Sequence, residues 1–311
     1  MENSRKEGAV YTTVFSCGEN GGNPAPVFLH ADGMTDVEMQ AAAAQEGVEC
    51  VFVLNTERED CDFRLRYFVP DHELSSCGHV TVAAVTEMLK EGRLSGNSAV
   101  IDTLGGLVPV SWEKTEQGTL VQMSQFLPEF RDAMPAGESA PAGETALTGE
   151  EIAKALRIAP EKLALTEKTP AECVSTSRFK LLVPVDSRET LDSLEPDYEA
   201  LWTVCEKTGT SGFYVFARDE EKEDVFYARQ FPLRSGYLED PATGVAATAL
   251  GCYAVHHSLL PVREGLNRIQ IFQGFAMGRP SCLIADVKVQ VGKIAGVQVC
   301  GYSERTEKKG F

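Results

Sequence analysis

Glu239-Asp240-Pro241-Ala242-Thr243-Gly244, running into Val245-Ala246-Ala247-Thr248-Ala249-Leu250-Gly251, decides how this chain is read. An acidic pair meets a proline and a glycine, and small apolar residues follow. The pattern predicts a strand end and then a buried helix. Asp240 stands where an N-cap belongs and Pro241 where the first helical residue belongs.

A second stretch has the same character. Ser75-Ser76-Cys77-Gly78-His79 opens a run of small or β-branched residues, Val80-Thr81-Val82-Ala83-Ala84-Val85. A helix with no clear polar face is a buried one. Shifting the chain by 163 residues brings the two stretches into partial register. Arg66 and Phe68 then fall on Arg229 and Phe231, residues 50–53 on 213–216, and Val82-Ala83-Ala84 on Val245-Ala246-Ala247. In that register Cys77 falls on Asp240 and Glu49 on Gly212. The expectation is an internal duplication, each half ordered strand, strand, buried helix. Two equivalent helix N-termini, with free N–H groups and positive dipole ends, would then face one cleft and hold a carboxylate or an enolate.

Composition bounds the function. The 311 residues suffice for two ordinary domains or one large one, and 43% hydrophobic with 24% charged is a globular balance. A net charge of -17 argues against a general binder of nucleic acid or anionic membrane. It leaves room for a small anionic substrate at a helix N-terminus. The nine cysteines are scattered without Cys-x-x-Cys or zinc spacing, so no metal is expected and they read as reduced thiols of a cytoplasmic protein. The polar start Met1-Glu2-Asn3-Ser4-Arg5-Lys6 does not read as a secretory signal. No apolar run approaches the ~20 residues of a membrane span.

Along the chain, residues 1–8 read as a loose tail and Val10–Phe15 as a strand. Gly18 to Pro24 reads as a glycine-rich bend beside a pocket, without the Gly-Lys-Ser/Thr of a P-loop. Thr35 with Glu38 predicts a capping box for a helix to Glu46. Strands follow at 48–54, 61–69, 98–103, 107–113 and 119–124. Residues 131–147, with Pro-Ala-Gly-Glu twice, read as a linker between domains 1–130 and 148–299, with about 300–311 packing back on the first. Thr148 and Glu151 predict a cap for a short helix. Further strands are expected near 178–184, 212–217, 224–231, 268–273, 281–291 and 294–302, with a helix near 196–208.

Three residues outside the second helix start carry chemistry. Glu49 opens an apolar strand; a carboxylate partly withdrawn from water holds a proton near neutrality, whereas an ordinary strand-end glutamate faces solvent. His79 is a neutral donor at a positive helix end or a satisfied core histidine. Cys77 at a helix N-terminus is a thiol of lowered pKa or a small buried residue. His256-His257 reads as a complement to a helix C-terminus.

Four stretches together resemble the PhzF-like family of phenazine biosynthesis, within the wider diaminopimelate-epimerase fold. They are Gly22-Asn23-Pro24-Ala25-Pro26-Val27, Cys77-Gly78-His79, Glu239 to Gly244 with its alanine helix, and Gln273-Gly274 through Met277-Gly278-Arg279-Pro280-Ser281. The resemblance implies an α+β fold of two pseudo-symmetric domains. Each would be a curved, mostly antiparallel sheet around a central helix, with the active site between them. It implies cofactor-free proton chemistry, Glu49 shuttling the proton while His79 and Asp240 hold the substrate and share acid/base work. The helix-start pair Cys77 and Asp240 offers a two-base epimerase as the alternative, and a binding protein that kept the cleft is the other. Gly78, Asn23, Ala242, Thr243, Gly244, Gln273 and Gly274 are the expected substrate contacts, and a homodimer is the family expectation. Ser-Glu-Thr of the family is Val48-Glu49-Cys50 here. The serine after Asp-Pro-Ala-Thr-Gly is Val245, and the proline after Cys-Gly-His is Val80. The substrate-binding surround therefore differs from that for the phenazine precursor.

Overall fold

The computed structural model describes residues 8–133 and 147–308. The chain forms two compact units, one from the residues up to Ser124 with those from Cys300 onward, the other from Gln125–Val299. Most of the expected linker, residues 134–146, lies outside the described residues, as do residues 1–7 of the expected tail.

The elements run in chain order. In the first unit they are β1 (Val10–Val14), β2 (Asn23–Phe28), α1 (Asp36–Glu46), β3 (Cys50–Leu54), β4 (Phe63–Phe68), β5 (Glu73–Leu74), α2 (Gly78–Lys90), β6 (Ser98–Thr103), β7 (Gly106–Thr115) and β8 (Gly118–Gln125). The second has β9 (Glu129–Asp132), α3 (Gly149–Leu156), β10 (Glu172–Ser175), β11 (Lys180–Pro184), α4 (Arg188–Asp192), α5 (Tyr198–Thr208), β12 (Gly212–Arg218) and β13 (Val225–Pro232). It continues with α6 (Gly244–His256), β14 (Gly265–Gln273), β15 (Ser281–Gln290) and β16 (Lys293–Gly301). The short β17 (Ser303–Arg305) pairs with β1. Residues 131 and 132, expected in the linker, belong to β9, which pairs with β10.

Both units pair their strands in one pattern. In the first, β1–β2 is antiparallel, β2–β3 parallel, β3–β4 antiparallel, β4–β6 parallel and β6–β7 antiparallel. In the second, β10 to β15 repeat the same five relations in order. The fold is α+β, two units of one design, each a mostly antiparallel sheet around a buried helix.

Strand alternation assigns the faces. Cys50, Phe52 and Phe68 pack with Met39 and Ala43 of α1. Val51, Val53, Leu65 and Tyr67 therefore face the other way, toward α2, and Tyr67 Oη meets Thr81 Oγ1 at 2.8 Å. Every residue of α2 from His79 to Met88 is buried, and each enclosed valine contributes about 1.5–3 kcal/mol. In the second unit Phe213, Val215 and Phe231 pack with Leu201, Val204 and Cys205 of α5. Tyr214, Phe216 and Gln230 face α6, where Phe216 lies 5.5 Å from Tyr253. Both central helices have 13 residues.

The duplication carries a gap that the ungapped shift conceals. The cross-strand pair Cys50–Phe68 matches Phe213–Phe231, as the 163-residue shift requires. Beyond the strands the match slips. Arg66 clasps Glu73 and Arg229 clasps Glu239, each through two hydrogen bonds of 2.7–2.9 Å. The pairing Tyr67↔Leu74 recurs as the bridge Gln230↔Asp240. Cys77 stands eleven positions after Arg66, and Thr243 fourteen positions after Arg229. The exposed bend at 234–238 takes up the three extra residues. The counterpart of Cys77 is thus Thr243, and that of Asp240 is Leu74; the alanine match was accidental.

Two local readings also change. Asp240 is not the N-cap and Pro241 is not the first helical residue; the N-cap is Thr243. Asn23 and Pro24 are not bend but the start of β2, a strand concealed by its prolines at 24 and 26. The parallel pairing with β3 starts only at Val27, so Pro24 and Pro26 occupy a stretch paired with β1 alone. A proline's missing N–H costs nothing toward an open edge.

Candidate functional site

The helix starts differ in kind. Helices α1, α3, α4 and α5 begin at Thr35, Thr148, Ser187 and Asp197, and each of these side chains accepts a backbone N–H. Thr35 and Thr148 complete the expected capping boxes. The central helices α2 and α6 begin at Cys77 and Thr243, neither of which makes a side-chain cap. These two ends keep their N-terminal dipole without a self-supplied acceptor.

In the second unit a polar knot forms before α6. Asp240 accepts from Thr243 Oγ1 at 2.5 Å and from the Ala242 N–H at 3.3 Å. Gln273, 1% exposed, donates through Nε2 to the Asp240 carbonyl (2.6 Å) and Thr243 Oγ1 (3.1 Å). Its Oε1 accepts from the Thr243 N–H (3.3 Å) and from Tyr214 Oη (2.9 Å). Burial, with the charge of Asp240 nearby, drives the Tyr214 phenol well above its ordinary range and keeps it a donor. Gly274, at φ +81°, closes the turn: a Cβ there would lie 2.3 Å from the Arg279 carbonyl and 2.8 Å from that of Pro241. The N–H groups of Ala242 and Thr243 are thus used within the chain, while that of Gly244 opens α6. Glu239 is committed to Arg229, which also donates to the carbonyls of Leu191 and Leu194.

In the first unit Cys77 and His79 come together, Sγ to Nδ1 at 3.4 Å. Thr81 Oγ1 donates to the Cys77 carbonyl and meets Tyr67, tying the first turn of α2 to β4. Glu49 lies one residue ahead of β3, half-buried. Counted back from Val51 and Val53, it holds a position in step with the α2-facing residues of β3. Two residues on, Val51 pairs with Tyr67, whose hydroxyl meets Thr81 in the first turn of α2. The Glu49 carboxylate takes no hydrogen bond among the described residues. Its charge and that of Glu46 add to burial in pushing the Cys50 thiol up to about 12. Asn23 starts β2 opposite Val14, after Gly22, where φ is +80° and a Cβ would lie 2.4 Å from the Val14 carbonyl, so no side chain fits.

Two residues escaped the sequence reading. Lys180 opens β11, is 6% exposed and forms no ion pair among the described residues. Burial brings its ammonium down to about 8, with Asp240 opposing that shift and Arg178 adding to it. Gln230 is 1% exposed, and neither end of its amide has a hydrogen-bond partner. A lone lysine or glutamine beside apolar residues gives no motif, so only the register reveals them. Glu172, His256 and His257 form the one group of metal-ligating side chains among the described residues. Local contacts account for it: His257 Nε2 meets Glu172 at 2.9 Å and His256 stacks on Phe130.

The doubled sheet-and-helix pattern is an epimerase fold. A hydroxyproline epimerase from Agrobacterium vitis superposes with a TM-score of 0.56, over 99% of this chain and 92% of that one, at 12% identity, a likeness of fold alone. The chain belongs to the phenazine biosynthesis-like PhzC/PhzF family, whose model matches residues 12–307. An uncharacterized isomerase of Clostridium acetobutylicum is 33% identical over 282 residues, 90% of this chain and 89% of that protein. The PhzF-family protein of Bacillus anthracis superposes with a TM-score of 0.82 at 26% identity over 96% of both chains. The protein is an isomerase of the PhzF type. No helix among the described residues is long and apolar enough to cross a membrane.

Proposed function

We propose that this isomerase moves a proton on a small carboxylate-bearing metabolite without a cofactor, Glu49 carrying the proton. His79 and Asp240 bind and polarise the substrate. The observation that supports this most is the placement of Glu49. It is half-buried, takes no hydrogen bond from the described residues, and stands just ahead of β3, whose Val51 pairs with the Tyr67 that meets the first turn of α2. A carboxylate so placed can remove a proton next to an electron-withdrawing group and return it to another carbon or face. Asp240, by contrast, is tied to Thr243 and Ala242, which suits holding more than shuttling. All nine thiols are free, in keeping with a cytosolic enzyme.

The test is exchange of substrate C–H for solvent deuterium across a panel of small amino and hydroxy acids. Glu49→Gln should lower the exchange rate by about 10²–10⁴-fold, the usual worth of a positioned acid/base group. Full exchange in that variant sinks the reading. The contact of Cys77 with His79 favours a second reading in which the thiol is a base. Cys77→Ser with unchanged exchange excludes it. Its symmetric partnership with Asp240 has lost its basis, because the two positions are not equivalent in the repeat.

A further inference from the structure

The two units can be overlaid strand by strand, and the overlay isolates one exchange of charge. In the first unit the parallel register Val27↔Val51, counted two residues back, gives Ala25 and Glu49 as matching positions just ahead of the paired stretch. In the second, Leu181↔Phe213, extended one residue back, sets Lys180 beside Gly212. Phe213 matches Cys50 and Val174↔Lys180 matches Thr12↔Ala25, so these are the same two places in the repeat. The pair is alanine and glutamate in one unit, lysine and glycine in the other. Both pairs are in step with the residues that face their central helix, since Leu181 and Phe213 belong to the α5-side cluster.

Gly212 cannot carry a side chain. A Cβ there would lie 2.5 Å from the Phe231 carbonyl and 2.6 Å from Gln230 Nε2, and φ is +148°. The backbone of Gly212, next to Lys180 in the register, is therefore met closely by the amide of Gln230, whose oxygen and nitrogen both lack partners. The backbone of Gln230 is bridged to Asp240, which leads into the uncapped α6. The charged and titratable groups that act on Lys180 are Asp240, the exposed Arg178 and the buried Cys205. Asp240 forms no ion pair with it, its oxygens being bonded to Thr243 and Ala242. A buried cation is normally paired, and among the described residues none supplies Lys180 with a counter-charge at contact.

We propose that Lys180, with the Gln230 amide that meets Gly212, is the anion-binding and specificity-determining element of the substrate site, taking a carboxylate of the substrate. This rests on the reading of the protein as a proton-moving isomerase of carboxylates and names the residue that selects the carboxylate. It places a positive charge in the second unit at the position that holds the negative charge of Glu49 in the first.

The experiment uses the full chain labelled with ¹³C at lysine Cε. The Lys180 resonance is assigned by its loss in Lys180→Arg. Acetate, benzoate and inorganic phosphate are titrated in at constant ionic strength, with chloride as the blank. The expected result is a saturable shift of the Lys180 signal and a rise in its titration midpoint with acetate and benzoate. A signal that moves with none of the three, or equally with chloride, overturns the proposal; a response to phosphate alone overturns the carboxylate assignment. On the substrate found by deuterium exchange, Lys180→Met should raise KM about 10–100-fold with kcat little changed. Lys180→Arg should recover most of that loss, and an unchanged KM in Lys180→Met overturns the proposal. The two readings fail separately. Glu49→Gln removes exchange and leaves the anion response of Lys180 in place, whereas loss of the anion response leaves exchange dependent on Glu49.

Discussion

The first unit places a carboxylate where the second places a glycine, and the second places a lysine where the first has an alanine. The scaffold around those positions is shared: the strand pairings, the central helix of 13 residues, the arginine–glutamate clasp. The scaffold was kept and the chemistry divided. The starts of the central helices show the same division. One presents a thiol and an imidazole 3.4 Å apart, the other a threonine held by Asp240 and Gln273. Helices that serve only the scaffold cap themselves, whereas these two do not.

The comparison breaks most visibly at its glycine. Gly212→Ala places a Cβ 2.5 Å from a carbonyl at φ +148°. It should destabilise the protein by on the order of 3–5 kcal/mol, read as a fall in the denaturation midpoint. The matching change Glu49→Gly should leave stability within about 1 kcal/mol and abolish exchange. A Gly212→Ala protein of wild-type stability refutes the claim that the second unit has no room for a side chain there.

The arginine clasps come next. Arg229 and Glu239 are 9% and 11% exposed, Arg66 and Glu73 are 14% and 21% exposed. Removing one partner of a buried pair strands a charge, so Arg229→Met should cost about 3–5 kcal/mol. Arg66→Met should cost less, because solvent reaches Glu73 more readily. Urea denaturation of the two variants decides it; equal losses contradict the ranking.

Much of this was legible in the sequence because it rests on local rules. Thr35 with Glu38 and Thr148 with Glu151 announce their helices, and the all-round apolar runs after Cys77 and Asp240 announce buried ones. What stayed hidden is non-local. The prolines of β2 are tolerated because β3 pairs only from Val27 onward, which no local pattern states. The three extra residues before α6 are surface bend and leave no periodic trace, so alanines aligned by chance and Asp240 took the place of Thr243. Setting Glu49 in step with the α2-facing residues of β3 needed only strand alternation. That of Lys180 needed the parallel register with β12, and so had to wait for the fold.

A smaller effect follows from the burial of Lys180. Its folded pKa is about 8, below the ordinary value of about 10.4. Between those limits the unfolded chain binds more protons, so this group makes stability rise as pH rises through the window. The buried thiols of Cys50 and Cys205, each raised to about 12, act oppositely above their ordinary range. The difference between wild type and Lys180→Met isolates the lysine. The variant should gain on the order of 2 kcal/mol over wild type at pH 7, and the gain should shrink toward pH 10. A variant less stable than wild type at pH 7 means Lys180 is structurally paired.

The smallest contrast lies at the two helix starts. Thr243 donates to the Asp240 carboxylate and accepts from Gln273, so Thr243→Val removes a charge-assisted bond and leaves Gln273 one acceptor short. That should cost about 1.5–3 kcal/mol. Cys77 makes no cap, and its side chain touches only His79 among the hydrogen bonds described. Cys77→Ala should cost about 1 kcal/mol, largely lost packing. Thermal denaturation of both variants gives the order directly. If Cys77→Ala proves the more damaging, the thiol anchors the first turn of α2 more firmly than the Thr243 hydroxyl anchors that of α6.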